Sequence, residues 1–514
     1  MTSWNEGYVS DIEYVPGFYL EQTPPRIDVA CMLRNIEPPV AQGTPFTYCE
    51  LGCGFAETAL AIAAASHHSE VWGFDFNPAH IARGRAMAKA GGLGNIRLEE
   101  ASFDQLARNA PRDMPAFDYI VLHGVWSWVS LENRAHIVTF IDRHLKPGGV
   151  AYVTYNALPG WTQALPIQRL LLNLARAGSA PSDRRVIDAI AALRDFAAAG
   201  APSLPTDYLD RLAGEAEKGS VSYLAHEYLN EHWAPCFHDD VARDMAPAKL
   251  DYVATANLLE NFPDLCLKPE QRQLVDAAPA SQRETFKDYF MVRAFRRDVF
   301  MRGAREIPVR RRDQRMREQR LTLIVPPDAL TRTIKVPLGE ATLNEGFYAP
   351  AFAALAERQT MSVGELLDLP EADGSTANAR EVLGMLTGSG QALPVATVVT
   401  DEARDVARAY NRHHLAICAD TGRPGTALVA PALCGGVSVN VFEMLAYEVL
   451  VAGTPAEPAA LARAAWALLQ SRGDRISYEG AFFDGAEENL TRLQEHMEKI
   501  VAISLPFWQR IGAI

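Results

Sequence analysis

Apolar and polar residues alternate in blocks over the first third of the chain. Between residues 46 and 156, five short apolar runs are separated by segments in which apolar residues recur at helical spacing. That alternation is typical of parallel strands joined by crossover helices. We expect strands at 46–51, 70–74, 95–99, 117–123 and 149–155, and helices at 56–65, 78–90, 103–108 and 131–144. The pattern predicts an α/β fold with a doubly wound, Rossmann-like sheet.

The middle of the chain is mostly helical in pattern. Residues 157–232 carry almost no strand pattern, which predicts a helical insertion. A helix at 237–245 and a strand at 250–256 indicate that the sheet then resumes. A further helix is expected at 283–302, and it leads into an arginine-rich connector at 309–320.

After residue 321 the pattern changes to short helices. They are expected at 350–358, 363–367 and 379–387, and a strand-like segment follows at 391–399. This spacing is compatible with a winged-helix unit. From residue 402 onward the chain is largely helical, except for a stretch rich in proline and glycine at 420–436.

Composition and charge narrow the class of protein. Of the 514 residues, 48% are hydrophobic and 22% charged, which excludes a disordered or fibrous chain. The net charge is -14, from 49 Lys and Arg against 63 Asp and Glu, and it disfavours a general affinity for nucleic acid or anionic lipid. No segment approaches the roughly 18 apolar residues of a membrane helix, and the N-terminus lacks a signal-peptide pattern. We expect a cytoplasmic protein.

The seven cysteines give no sign of a disulfide framework, since none forms a C-x-x-C pair. His226, His232, Cys236 and His238 form the one cluster with metal-binding residue types, but their spacing matches no standard zinc pattern. We expect no metal.

A glycine loop follows the first strand and carries the most informative pattern. The missing side chains of Gly52 and Gly54 let the backbone approach a bound nucleoside, and the free N–H groups at the following helix start can bind an anion. Asp75 ends the second strand, where a carboxylate can accept hydrogen bonds from both ribose hydroxyls. Together these residues predict a cofactor that contains adenosine.

Two cofactor classes compete for this loop. A dinucleotide site has a third glycine at the position of Glu57, whose charge would lie near a pyrophosphate, so NAD is disfavoured. Glu50 lies two places before the first glycine, where its carboxylate can organise the loop or meet the cationic end of S-adenosyl-L-methionine. With Leu-Lys-Pro-Gly-Gly at 145–149, the pattern resembles class I methyltransferases. Ala56 departs from it, because the family often has a third glycine there.

The resemblance implies further contacts to the cofactor. Ser102 and Phe103 follow the third strand, where such enzymes contact adenine, although Ser102 stands in the place of a usual acid. A helix cap and a core aromatic are the alternative roles. Near the N-terminus, Tyr14, Phe18, Tyr19 and Gln22 precede a Thr-Pro-Pro segment and can form a lid over the cofactor or simply pack.

Aromatic residues mark the expected reaction centre. Ligands of this fold lie outside the carboxyl ends of the strands, so the segment after the fourth strand, with His123, Trp126 and Trp128, is the candidate. Aromatic faces stabilise a sulfonium or an ammonium, and His123, with an ordinary pKa of about 6.5, can accept a proton or orient an acceptor. Asn156 follows the fifth strand at the same edge. Core packing of the tryptophans and a turn role for Asn156 are the alternatives.

Three segments resemble one bacterial group of methyltransferases. They are 123–129, 288–297 and the Asn-Arg-His-His sequence at 411–414. The group carries a methyltransferase regulatory domain and includes the lysine methyltransferases of rickettsial outer-membrane proteins. The resemblance implies N-methylation of lysine side chains on a protein and, as in known cases, a homodimer. A small-molecule N- or O-methyltransferase is the alternative, and a module that only senses S-adenosylmethionine is a third possibility.

Arginine is concentrated at 293–320, with eleven arginines against four acids. Beside a winged-helix-like unit this raises the possibility of a nucleic-acid methyltransferase. A connector whose arginines pair with acidic neighbours is the simpler interpretation. Nucleic acid is therefore an unlikely partner.

The expected organisation has six parts. They are an N-terminal lid segment (1–45), an S-adenosylmethionine-binding core (46–160), a helical insertion (161–232), a return to the sheet with a connector helix (233–320), a winged-helix-like domain (321–400) and a helical C-terminal domain (401–514). Because the insertion follows the fifth strand, we expect it to cover the acceptor rather than the cofactor.

Overall fold

A seven-stranded sheet organises the first three fifths of the molecule. The structure is a computed structural model that describes residues 5–13, 17–217, 221–373, 377–423, 425–475, 477–478, 481–482 and 485–514. Tyr14 lies outside these ranges. The strands of the sheet are β1 (Thr47–Leu51), β2 (Glu70–Asp75), β3 (Ile96–Glu100), β4 (Phe117–Leu122), β5 (Leu145–Asn156), β6 (Leu250–Thr255) and β7 (Phe295–Arg302).

The strand order is β3-β2-β1-β4-β5-β7-β6. The first five strands are parallel, and β7 lies antiparallel between β5 and β6. Every residue of β4 is buried, as expected for a strand covered by helices on both faces. The strand order reverses next to β1, so the carboxyl ends of β1 and β4 diverge into a crevice. The predicted doubly wound α/β fold is confirmed.

Twelve helices in the described residues accompany this sheet. They are α1 (Pro24–Leu33), α2 (Glu57–Ala65), α3 (Pro78–Ala90), α4 (Phe103–Asn109), α5 (Leu131–His144), α6 (Ala164–Arg176), α7 (Ser182–Ala198), α8 (Thr206–Glu217), α9 (Val221–Tyr228), α10 (His238–Met245), α11 (Pro269–Ala277) and α12 (Arg283–Met291). Helices α6 to α9 form the predicted helical insertion. They pack around a hydrophobic cluster of their own, which Val9 of the N-terminal segment joins.

The prediction of a helix at 283–302 is wrong over its second half, which contains a strand instead. Helix α12 ends at Met291, Val292 adopts a left-handed conformation with φ of 47°, and the chain continues as β7. Arg296 and Asp298 are buried inside this strand and pair with each other, with 2.8 Å between Arg296 Nε and Asp298 Oδ2. Such pairing allows charged residues inside an interior strand, so the apolar pattern of a strand is absent from the sequence.

The remaining elements form the C-terminal half. Its strands are β8 (Arg320–Leu323), β9 (Thr333–Val336), β10 (Gly339–Thr342), β11 (Thr360–Ser362), β12 (Ala392–Pro394), β13 (Gly425–Ala430), β14 (Gly435–Asn440), β15 (Ser477–Tyr478) and β16 (Ala481–Phe482). Its helices are α13 (Val309–Glu318), α14 (Glu345–Arg358), α15 (Val363–Leu367), α16 (Ala379–Gly388), α17 (Asp401–Asp420), α18 (Val441–Val451), α19 (Pro458–Arg472), α20 (Ala486–Lys499) and α21 (Leu505–Ile511).

Strands β8, β11 and β12 form an antiparallel sheet around which α14, α15 and α16 are arranged. The order helix, strand, helix, helix, strand from α14 to β12 is compatible with the expected winged-helix unit. That unit and the six domain boundaries stay predictions.

The stretch rich in proline and glycine is a hairpin rather than a simple break between helices. Strands β13 and β14 pair antiparallel across a short turn, in which Cys434 is left-handed with φ of 51°. The hairpin packs on α2, the helix that follows the glycine loop, with 2.7 Å between Ser66 Oγ and Cys434 Sγ. The C-terminal half therefore supports the helix that begins at the predicted cofactor site.

Arginines in and just before the connector helix α13 (Val309–Glu318) pair with acidic residues, as expected. Arg305, Arg311 and Arg315 each lie within 3.8 Å of the Glu37 carboxylate, and Arg317 pairs with Asp368 at 2.5 Å. These ion pairs tie the connector to the N-terminal segment and to the C-terminal half. Across the described residues, none of the helices has the length and apolarity needed to cross a bilayer.

Candidate active site

A cavity of about 120 Å³ lies at the carboxyl ends of β1, β2 and β4. Most of the predicted site residues line it: Tyr19, Glu50, Gly52, Gly54, Asp75, Phe103, His123 and Trp128. The predicted residues Ser102, Trp126 and Asn156 do not. The sheet thus brings together residues from five separate segments of the chain, as the strand pattern predicts.

The glycine loop needs its glycines for two reasons. Gly52 and Gly54 have φ angles of 69° and 54°, in the left-handed region that side chains disfavour. A Cβ atom on Gly52 would also lie 2.5 Å from Val125 Cγ2, in the loop after β4. Ala56 has φ of 59° as well, which explains why the family often has a third glycine there. Alanine tolerates this conformation at a cost of about 1 kcal/mol.

Glu50 organises the loop, which is one of the two roles expected of it. Its carboxylate is buried and accepts hydrogen bonds from Gln22 Nε2 and from the Ala59 N–H in the first turn of α2, both at 3.1 Å. Burial, together with the charge of Asp75, raises the pKa of Glu50 to about 8. Glu50 therefore joins the segment before α1, the loop and the start of α2.

Asp75 is held by backbone groups around it. Its Oδ2 accepts from the Gly54 N–H at 2.8 Å, and its Oδ1 accepts from the Asn77 N–H at 2.8 Å. The His80 ring lies 3.3 Å from the same Oδ1. Each carboxylate oxygen can accept more than one hydrogen bond, so Asp75 keeps the capacity to bind hydroxyl groups in the cavity.

His123 lies in an aromatic stack. The Tyr19 ring stacks on it with 3.8 Å between centroids, and Tyr152 lies nearly parallel at 6.3 Å. Burial and the nearby charge of Arg297 lower the pKa of His123 to about 3. The imidazole is therefore neutral at pH 7 and a weak base, which favours the expected orienting role of His123 over its expected role as proton acceptor.

The two tryptophans face different environments. Both belong to one 3-10 turn, but Trp126 is fully buried in the core and the Arg134 guanidinium lies over its ring at 5.4 Å. Its expected place beside the acceptor is wrong, because the turn directs this ring inward to anchor α5. Trp128 remains partly exposed in the cavity.

Ser102 caps a helix instead of lining the cavity. Its Oγ accepts from the Gln105 N–H at 3.2 Å, and the Gln105 side chain accepts from the Ser102 N–H at 2.9 Å. This reciprocal capping box fixes the start of α4 and places Phe103 at the cavity. The expected contact of Ser102 with adenine is therefore replaced by a structural role.

Asn156 is buried behind the cavity. Its N–H donates to Ser127 Oγ at 2.8 Å, and its Nδ2 donates to Glu227 Oε1 on α9 at 2.9 Å. The backbone of Asn156 thus links the end of β5 to the loop after β4, and its side chain links that strand end to the helical insertion. The direct catalytic role expected of Asn156 is not supported by this position.

Several residues at the cavity carry no recognisable sequence signal. Tyr8, Thr58 and His80 line it, and Glu57 pairs with Arg423 from the C-terminal half, with 3.0 Å between Arg423 Nη2 and Glu57 Oε2. Arg423 thus pairs with the carboxylate whose charge would lie near the pyrophosphate of a dinucleotide. Because these residues come from distant segments, only the fold brings them together.

A second cavity, of about 500 Å³, lies at the opposite edge of the sheet, where β1 and β4 begin. His67 and His68 line it, and with Glu402 they offer ligand atoms within 4.8 Å of one another. This is a group of metal-binding residue types that the sequence pattern does not indicate. It lies at the far end of α2 from the glycine loop, so it is separate from the candidate active site.

Comparisons with known proteins agree with this fold and site. Residues 49–151 match a family described as "Methyltransferase domain", and residues 220–302 match "Predicted methyltransferase regulatory domain". An uncharacterized protein of Synechocystis is 31% identical over 514 residues, which cover 99% of both chains. An uncharacterized protein of Rickettsia prowazekii is 28% identical over 224 residues, 43% of this chain and 86% of that protein.

The fold is also similar to a solved structure. PKMT2 from Rickettsia typhi, determined in complex with AdoHcy, covers 96% of this chain and 98% of its own, with a TM-score of 0.67 and 19% sequence identity. Fold, cavity and matches together define a class I methyltransferase that uses S-adenosyl-L-methionine. Within that class, the chain belongs to the family that carries a methyltransferase regulatory domain.

Proposed function

We propose that this enzyme N-methylates lysine side chains of a protein. The observation that carries the proposal is the group of aromatic rings, Tyr19, His123 and Trp128, that lines the cavity. Such a wall accommodates an alkyl amine and the positive charge that develops on its nitrogen. The resemblance to rickettsial lysine methyltransferases and the fold shared with PKMT2 support the same acceptor.

The cofactor-binding residues follow from the cavity. In this proposal Asp75 binds the ribose hydroxyls, Phe103 contacts adenine, and the backbone at Gly52 and Gly54 passes close to the nucleoside, which is supported by their shared position at the cavity. Bound S-adenosylmethionine supplies a methyl group made electrophilic by its sulfonium. Glu50 holds the loop in shape rather than meeting the cofactor directly.

The N-terminal segment acts as a lid in this proposal. Tyr8, Gly17 and Tyr19 cover a cavity of about 120 Å³, which is smaller than the roughly 300 Å³ typical of small-ligand sites. The Tyr19 N–H donates to Thr58 Oγ1 at 3.0 Å, so the cover is attached to the first turn of α2. This segment must move to admit the cofactor, and it then excludes water from the acceptor.

The proposal is tested by locating the transferred methyl group. The protein is incubated with methyl-labelled S-adenosylmethionine and a bacterial lysate, and label is measured in protein, nucleic acid and small molecules. We expect label in protein and its recovery as methyllysine after hydrolysis, with none for Asp75→Ala. Label in small molecules would instead establish the small-molecule alternative, and label in nucleic acid would establish the nucleic-acid alternative.

The proposed assembly is a homodimer in the cytoplasm. The resemblance to the rickettsial group supports the homodimer. Analytical ultracentrifugation should give roughly twice the chain mass of 56.4 kDa. A monomer at all concentrations would remove the dimer from the proposal without affecting the acceptor.

A further inference from the structure

Three residues of metal-binding types meet where the C-terminal half packs on the sheet. His67 and His68 lie in the turn between α2 and β2, and Glu402 lies in the first turn of α17. One ring nitrogen of each histidine and one carboxylate oxygen of Glu402 all lie within 4.8 Å of one another. The histidines belong to the segment matched as a methyltransferase domain, at 49–151, so tertiary packing alone brings Glu402 to them.

His67 offers a ring nitrogen that faces this group. Its Nε2 atom is shielded from solvent and has no hydrogen-bond partner among the described residues. Glu402 Oε2 lies 3.7 Å from it, which is too far for a hydrogen bond. A shielded polar atom without a partner calls for an explanation, and a bound metal ion would satisfy it.

The distances between the three side chains are close to those of a metal site. The rings of His67 and His68 lie side by side, with 3.8 Å between centroids and 47° between planes. Tetrahedral zinc places its nitrogen and oxygen ligands about 3.3 Å apart, which the His67 to Glu402 distance nearly matches. His68 and Glu402 are exposed, so a change of side-chain rotamer can close the remaining distance.

The surroundings favour a cation and give it access. Residues 401–405 contain three acids and one arginine, and that arginine, Arg404, lies 3.0 Å from the Asp401 carboxylate. His67 and His68 also line the cavity of about 500 Å³ at this edge of the sheet. The cavity leaves room for a water molecule as a fourth ligand, as in zinc sites with three protein ligands.

We propose that His67, His68 and Glu402 bind one Zn²⁺ ion. Two imidazoles and one carboxylate form a donor set that suits zinc. The expectation of no metal was based on the spacing of a different cluster, at 226–238, and spacing cannot reveal a ligand more than 300 residues away. This inference goes beyond the proposed function and does not depend on it.

The ion fastens the C-terminal half to the end of α2. That end is already held by the contact between Ser66 and Cys434, and the start of α2 is held by the pair of Arg423 with Glu57. Zinc replaces the loose contact between His67 and Glu402 with bonds of about 2 Å from both sides to one ion. Because the ion binds only where α2 and α17 are packed together, it stabilises the folded state.

The test measures zinc binding by the full chain without an affinity tag. The protein is first stripped with a chelator, and Zn²⁺ affinity is then measured by competition with a chromophoric chelator. We expect one site with a Kd below about 10 μM. His67→Ala, His68→Ala and Glu402→Gln should each weaken it by about tenfold or more, at least the effect of losing a group behind a ligand. The matched control His413→Ala, an exposed histidine of α17, should bind as the wild type does.

A second readout tests the link between the two halves. Zinc should raise the melting temperature of the wild type and of His413→Ala, but not that of His68→Ala or Glu402→Gln. A weaker wild-type Kd, unchanged binding by any folded variant of the three ligands, or an equal loss in His413→Ala would overturn the proposal. A rise in melting temperature that survives Glu402→Gln would also overturn it. If His67→Ala does not fold, as judged by circular dichroism, the two exposed positions decide by the same criteria.

Discussion

The two sides of the active site are built differently. On the cofactor side, Glu50, the glycine loop and Asp75 come from one strand-loop-helix unit and the next strand, and backbone N–H groups hold the carboxylates. On the proposed acceptor side, Tyr19 and His123 come from segments far apart and stack on each other, and Tyr8 lines the same cavity. Local hydrogen bonding fixes the shape of one side, while tertiary packing assembles the other. We therefore expect variants to affect the two sides separately.

The largest effect is expected where the C-terminal half supports the cofactor side. Arg423→Ala leaves Glu57 unpaired with 11% of its side chain exposed, and the free energy of unfolding should fall by about 3 kcal/mol. Chemical denaturation measures this loss. Arg412→Ala, an exposed arginine on α17, is the control and should be nearly neutral. Adding Glu57→Gln to Arg423→Ala should recover most of the loss, and no recovery would mean that the pair is not the cause.

A change on the proposed acceptor side should reduce the rate of methyl transfer by a factor that does not depend on pH. His123→Ala removes the ring under Tyr19, and we expect the rate of methyl transfer to fall by roughly tenfold to a hundredfold. Because the pKa of His123 is about 3, this ratio should be constant from pH 6 to 9. His123→Phe keeps a stacking ring and should retain most of the rate. A defect that shrinks at high pH, in both variants, would restore the role of His123 as proton acceptor.

The buried carboxylate of the cofactor side predicts a dependence of stability on pH. The pKa of Glu50 is raised to about 8 in the folded state, so the folded protein holds a proton that the unfolded chain releases above an ordinary pKa of about 4.3. Wild-type stability should then fall as the pH rises through this window. Glu50→Gln removes the titration, and its stability relative to the wild type should increase from pH 5 to pH 8. A constant difference would show that Glu50 stays ionised.

The smallest effect concerns the backbone of the glycine loop. Ala56→Gly removes the penalty of a left-handed alanine, which is partly offset by the greater freedom of glycine in the unfolded chain. We expect the melting temperature to rise by the equivalent of about 0.5 kcal/mol with unchanged cofactor affinity. A lower melting temperature would mean that the Ala56 methyl group contributes packing that outweighs the strain.

The same division explains what the sequence could predict. The positions of the first five strands along the chain, the glycine loop and Asp75 could be predicted. Their signals, apolar periodicity and a strand-turn-helix pattern, each lie within contiguous residues. Strand β7 was missed because buried ion pairing of Arg296 and Asp298 replaces the apolar pattern. Trp126 was misplaced because a short turn decides which of two neighbouring rings faces the core.

Residues that depend on long-range packing gave no signal at all. Glu227 lies in a helix whose sequence resembles any other amphipathic helix, and its hydrogen bond with Asn156 of β5 becomes apparent only in the fold. Arg423 likewise becomes part of the site only because the β13 to β14 hairpin packs on α2. Pairing across the fold cannot be read from periodicity or spacing.

The most direct test of the divided site is calorimetric titration with S-adenosylhomocysteine. The account predicts that Asp75→Ala, which loses hydrogen bonds to a charged acceptor, weakens affinity by roughly a hundredfold or more, while His123→Ala stays within about twofold of the wild type. Equal losses in the two variants would contradict the separation of a cofactor side from an acceptor side. Unchanged affinity of a folded Asp75→Ala would show that the cofactor binds elsewhere.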